Sequence, residues 1–167
     1  MRRQLIRMLD YLDGSQYVQT EKLPPDLPPI MIDKNQARVA LLEFDPQSQN
    51  PPGYLTHIGN HLREIVVSPG VTPEQKALAI RINKALNNVQ AWLEKVHSDA
   101  AQLIQMTPQQ LLAPETTRLL DDLFTQANNA FVGQTDPNTD QVKEGVVQIH
   151  YSVQGLATFD VQPYSAS

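Results

Sequence analysis

Apolar residues recur at helical spacing along most of this chain, and the interruptions of that pattern are as informative as the pattern itself. Leu5, Met8, Leu9 and Leu12 step by three and four, predicting a short amphipathic helix over 2–12 that Gly14 stops. At 22–29 the sequence KLPPDLPP breaks the periodicity. Pro24-Pro25 and Pro28-Pro29 remove backbone donors and block a helix, so this piece is expected as an extended or polyproline II arm, with Leu23, Leu27, Ile30 and Met31 as pegs. The segment after it reads two ways: Asp33 caps a helix over 34–43, or RVALLEF at 38–44 pairs as a strand. A polar, proline-bounded loop over 45–53 separates this region from the remainder of the chain.

From Tyr54 the pattern becomes regular. Leu55, Ile58, Leu62 and Ile65 mark one helix face, and Ser68-Pro69-Gly70 ends it. Thr72-Pro73-Glu74 is an N-cap followed by proline at the first helical position, and Leu78, Ile82, Ala85, Val89, Trp92, Val96, Ala100 and Leu103 carry a stripe to Met106. Such a helix spans roughly 50 Å and is expected to be the central strut. Thr107-Pro108 repeats the start signal, Pro114 cuts off a short turn over 109–113, and the next helix carries Leu119, Leu120, Leu123, Phe124, Ala127 and Phe131 as far as Gly133.

The last segment satisfies two templates. Asp136-Pro137 resembles the earlier helix starts, and Val142, Val146, Ile149, Val153 and Leu156 form a heptad stripe; yet Val147, Ile149, Tyr151 and Val153 also alternate with polar residues between Gly145 and Gly155. Helix is preferred, because a lone strand lacks a partner. The expected fold is therefore all-α: an antiparallel four-helix bundle over 51–160 with one long central helix, preceded over 1–50 by a short N-terminal helix and the Pro-rich arm, and followed over 161–167 by a tail.

Composition narrows the function classes. The 167 residues carry a net charge of -5, so no basic face is expected for nucleic acid or anionic lipid. There is no cysteine, which excludes disulfides, thiolate metal sites and cysteine nucleophiles. Arg2, Arg3 and Arg7 flank the first helix, but Arg7 and Asp10 interrupt its apolar run, so neither a secretion signal nor a membrane anchor is favoured and a cytoplasmic location is expected. Charged residues are only 19% of the chain, and 102–114 and 125–135 contain none. Charge-free, Gln- and Asn-containing surface suits lateral association.

His57, His61 and Glu64 fall at i, i+4 and i+7, so on a helix they project along one stripe and present two imidazoles and a carboxylate to a divalent transition metal. This spacing resembles helical-bundle metal proteins of the DinB-like kind, over one helix of the chain. The resemblance implies a histidine triad gathered from facing helices, whose remaining ligand comes from His97 or His150, and a metal-dependent bundle enzyme. With Leu55, Ile58, Leu62 and Ile65 as the core seam, however, His57 and Glu64 fall outside and His61 on the flank, and solvated or interhelical histidines are the preferred reading. Asp136, Asn138 and Asp140 alternate like the start of a calcium loop, but Gln141 and Val147 stand where that loop needs Gly and Glu. Glu43, Asp45, Asp121 and Asp122 are acid–base candidates with nothing to assign them roles, and no nucleophile elbow or phosphate-cradling glycine loop is present. The expectation is a noncatalytic helical interaction protein without a cofactor, a small structural or adaptor subunit that joins itself or a protein partner, with Pro24, Pro25, Pro28, Pro29 and Trp92 as candidate contact residues.

Overall fold

A computed structural model describes residues 1–15, 23–27, 37–42 and 52–156. Their architecture is all-α: helices α1 (Arg2–Asp13), α2 (Tyr54–Val67), α3 (Pro73–Gln105), α4 (Pro114–Val132) and α5 (Val146–Leu156), a 3-10 turn (Gln110–Leu112), and paired two-residue strands β1 (Gln134–Thr135) and β2 (Val142–Lys143). No helix among the described residues is long and apolar enough to cross a membrane.

The longest helix starts where its cap dictates. Thr72 Oγ1 accepts from Gln75 N at 3.2 Å and Thr72 N donates to Gln75 Oε1 at 3.1 Å, a reciprocal capping box ahead of Pro73. Thr107 and Gln110 repeat the same exchange at 3.3 and 2.8 Å. There the helix lasts a single 3-10 turn, because Ala113 before Pro114 is held extended and the helix must restart.

Helix α3, at 33 residues, touches every other helix. Its C-terminal half (Val96, Ala100, Leu103, Ile104) shares a core with Leu5, Ile6, Leu9 and Leu12 of α1, with Leu42, and with Leu119 and Leu123 of α4. Its N-terminal half (Ala79, Ile82, Leu86) packs with Leu62 of α2, against which Ile149 and Leu156 of α5 rest. Between them Val89 and Trp92 meet Ala130 of α4. The main core therefore crosses the boundary expected near residue 50. The apolar face of α1 is covered by the chain's own core.

Residues 37–42 are neither the helix nor the strand that the sequence allows; 43–44, like 33–36, lie outside the described residues. The reason is that their backbone groups are committed elsewhere. Leu41 and Leu42 donate to the carbonyls of Tyr11 and Leu12 at the end of α1, at 3.0 and 2.9 Å, while the carbonyls of Ala40 and Leu41 accept from Tyr54 and Leu55 at the start of α2, at 2.8 and 3.2 Å. One short segment thereby satisfies orphan groups at two helix ends.

The described part of the proline arm is also corrected. Leu27 N donates to Pro24 O at 3.0 Å, closing a turn with Pro25 at its second position, where the fixed φ of proline fits. Leu23 and Leu27 rest on the main core, and Asp26 pairs with Arg2, whose guanidinium also reaches the Met106 carbonyl at the end of α3. Arg2 holds the Asp26 carboxyl below its ordinary range.

At the other end of the chain, Asp136-Pro137 starts a hairpin turn instead of a helix. Thr135 pairs with Val142 and Gln134 with Lys143, Asp136 Oδ1 accepts from Asn138 N at 2.8 Å, and Asp140 N donates to Asp136 O at 2.9 Å. The Asn138 amide lowers the Asp136 carboxyl, the oxygen that the calcium-loop pattern would have offered to a cation. Helix α5 begins only at Val146, so the preferred helix over 146–154 is observed and the strand is not; residues 157–167, including the expected tail, lie outside the described residues.

Candidate functional site

The predicted stripe of α4 is wider than the core can cover. Thr116, Leu119, Leu123 and Ala130 are buried, whereas Leu120, Phe124 and Phe131 lie 36%, 72% and 59% exposed. At 3.6 residues per turn these last three fall within about 40° of arc, so they form one ridge beside the buried face. Val132, Val142 and Val146 continue apolar exposure around the hairpin, and Leu112 is exposed on the turn before α4. Both charge-free stretches thus display large apolar side chains: Leu112 in 102–114, Phe131 and Val132 in 125–135.

Three of the sequence-derived contact residues, Trp92, Pro24 and Pro25, lie among the described residues. Trp92 is 6% exposed in the core with Val89 and Ala130, because a 33-residue strut touched on several sides leaves that position no solvent face. Pro24 belongs to the pinned turn beside Arg2, with Pro25 exposed at its tip; Pro28 and Pro29 lie outside the described residues.

The histidine stripe forms on the outside of α2. His61 Nε2 lies 3.1 Å from His57 Nε2, and His61 Nδ1 lies 3.2 Å from Glu64 Oε2. The triad that the DinB-like resemblance implies is not assembled: His97 Nε2 bonds Asp13 Oδ2 at 3.0 Å, joining α1 to α3, and His150 pairs with Gln154 along α5. Among the described residues, no three His, Cys, Asp or Glu side chains gather to hold a metal ion.

Three aspartates, Asp10, Asp13 and Asp99, are buried, which nothing in an amphipathic pattern marks. Burial pushes the Asp13 carboxyl up, against the pull of His97. Asp99 lies on α3 near Asp122 of α4; its burial first, and the Asp122 charge second, raise it above the ordinary 3.8, while Arg118 and Lys95 pull the other way. Its Oδ2 has no hydrogen-bond partner among the described residues. Because the folded chain holds this proton more tightly than the unfolded chain, the group's contribution to stability is complete below the unfolded pKa and is lost as pH rises through the folded one. Asp99→Asn removes the buried charge, so it is expected to match wild type near about pH 3 and to melt at a higher temperature at neutral pH. Thermal melts across that range check this; a lower melting temperature for the variant at pH 7 contradicts it.

No protein-family model matches the chain, and neither does any curated protein or solved structure.

Proposed function

We propose that this chain is a noncatalytic helical interaction protein, a small structural or adaptor subunit that associates with itself or a protein partner through the outer ridge of α4. The observation that carries the reading is the Leu120, Phe124 and Phe131 ridge running into a stretch without charge. Interface cores are depleted in charged residues and enriched in aromatics, and contiguous apolar exposure on a soluble surface is costly unless something covers it. In the same reading α2 to α5 form an antiparallel four-helix bundle. The brief connections over 68–72 and 106–113 support it, since they suit chain reversal between neighbouring helices.

Light scattering over a wide concentration range, together with capture from the host, tests this in wild type and in a Phe124→Ser, Phe131→Ser double variant. Association weakened at least about tenfold in the variant, with helix content unchanged, is the expected result, since aromatic anchors commonly carry about 2 kcal/mol or more. A strict monomer that captures no partner defeats the proposal, as does association indifferent to both substitutions.

A further inference from the structure

The histidine pair on α2 has a finer geometry than the three-ligand pattern suggested by its spacing. Glu64 Oε2 sits against His61 Nδ1 at 3.2 Å. With the carboxylate accepting from Nδ1–H, His61 keeps its lone pair on Nε2, the nitrogen that faces His57 Nε2 at 3.1 Å. Two imidazole nitrogens bound to one ion at about 2.05 Å stand about 3.3 Å apart in a tetrahedral site, and about 2.9 Å apart at a right angle. The observed separation falls between these values; it is also that of a hydrogen bond in which His57 Nε2–H donates to His61 Nε2, a proton that an incoming ion displaces. The rings meet edge to face, with centroids 4.5 Å apart, so they converge at their nitrogens without stacking. The His61 and Glu64 side chains are 59% and 72% exposed, leaving the pair open to an ion from solvent. Arg63, the nearest cation in sequence, turns to Asn60.

We infer that His57 and His61 form a two-imidazole chelate for a late first-row divalent ion such as zinc, nickel or copper, with Glu64 as the carboxylate that orients His61 instead of a third ligand. Two i, i+4 imidazoles on a rigid helix hold the second donor in place once the first has bound. A carboxylate behind one of them fixes the tautomer and the orientation of the ring. The inference does not depend on the ridge of α4: it concerns a different helix, and either can fail alone.

Calorimetric titration of the full-length, untagged chain with zinc, nickel and copper chlorides tests it. One ion per chain is expected, weakened about 100-fold by His57→Ala or His61→Ala, the gain that a pre-placed second donor confers. Glu64→Ala is expected to weaken binding about tenfold, and Glu64→Gln to recover most of that loss, since its amide oxygen still accepts the Nδ1 proton. His150→Ala is expected to change nothing. Circular dichroism verifies that each variant keeps its helix content. Affinity unchanged in either α2 histidine variant, affinity lost in His150→Ala, or no saturable binding stronger than about 1 mM overturns the inference.

Discussion

Leu9→Ala is expected to lower the unfolding free energy by about 2–5 kcal/mol, the range for truncating a buried leucine. Leu9 is completely buried and lies in one core with Leu5, Ile6 and Leu12 of its own helix and with Val96, Ala100, Leu103 and Ile104 of α3. A twelve-residue helix is marginal in isolation, so α1 persists because of this packing, and a cavity at its centre threatens the whole element. Helix α1 also supplies the Asp13 partner of His97 and the Arg2 contact with the Met106 carbonyl, so its loosening breaks both of these polar contacts as well. Urea unfolding followed by circular dichroism measures the loss, with Leu112→Ala as comparator. Leu112 is 89% exposed, and its truncation is expected to stay within about 0.5 kcal/mol. A Leu9→Ala loss below about 1 kcal/mol means that α1 is not part of the core.

Gly145→Ala is expected to detach α5. A Cβ at this buried glycine meets Gly133 N at 2.5 Å, Ala130 O at 2.8 Å and Asn129 O at 2.9 Å. All three are backbone atoms, so no rotamer change relieves the overlap and either the end of α4 or the start of α5 must move. The same place holds two bonds that position α5: Gly145 N donates to Gln148 Oε1 at 2.9 Å, and Gln148 Nε2 donates to Val132 O at 3.0 Å. Overpacking of this kind costs about 1–3 kcal/mol, sometimes more. The readout is local, because Ile149 of α5 covers the cluster holding Trp92, the one tryptophan of the chain. Trp92 emission is expected to shift to longer wavelength in Gly145→Ala under native conditions. Gly155→Ala is the comparator: there the nearest neighbour is Leu78 Cδ2, the end of a flexible side chain, and a smaller effect is expected. Unchanged emission and stability in Gly145→Ala would show that the two helices do not approach so closely.

The legible parts of this fold are those that short-range chemistry determines. Thr72-Pro73 and Gly133 mark helix ends because a cap bond, a missing N–H or a positive φ of 84° acts within a few residues. Asp136-Pro137 carries much the same signal with a different outcome, since its side chain bonds Asn138 two residues on and closes a turn. Periodicity over 142–156 ran through β2 and the hairpin as though they were helix, because a stripe records apolar spacing and says nothing of backbone direction. The histidine stripe was visible as spacing; the contact of Glu64 with His61 Nδ1 was not, because i, i+3 and i, i+4 neighbours look alike until a distance distinguishes which nitrogen each one faces.

The sequence by itself determined the all-α class, the strut from Pro73, and the breaks at Gly14, 68–70, Pro114 and Gly133, each through local conformational energy and a stripe that must find apolar cover. It also showed where charge is missing. Only the tertiary structure decided which half of each stripe is covered: Leu119 and Leu123 go inside while Leu120, Phe124 and Phe131 remain out, and Trp92, readable as core or interface, is buried. The same holds for residues 37–42, whose backbone closes the ends of α1 and α2. The physical reason is common to these cases. Burial and end-capping depend on what lies across space, and that is set by how many helices share α3, a quantity that no window of sequence contains.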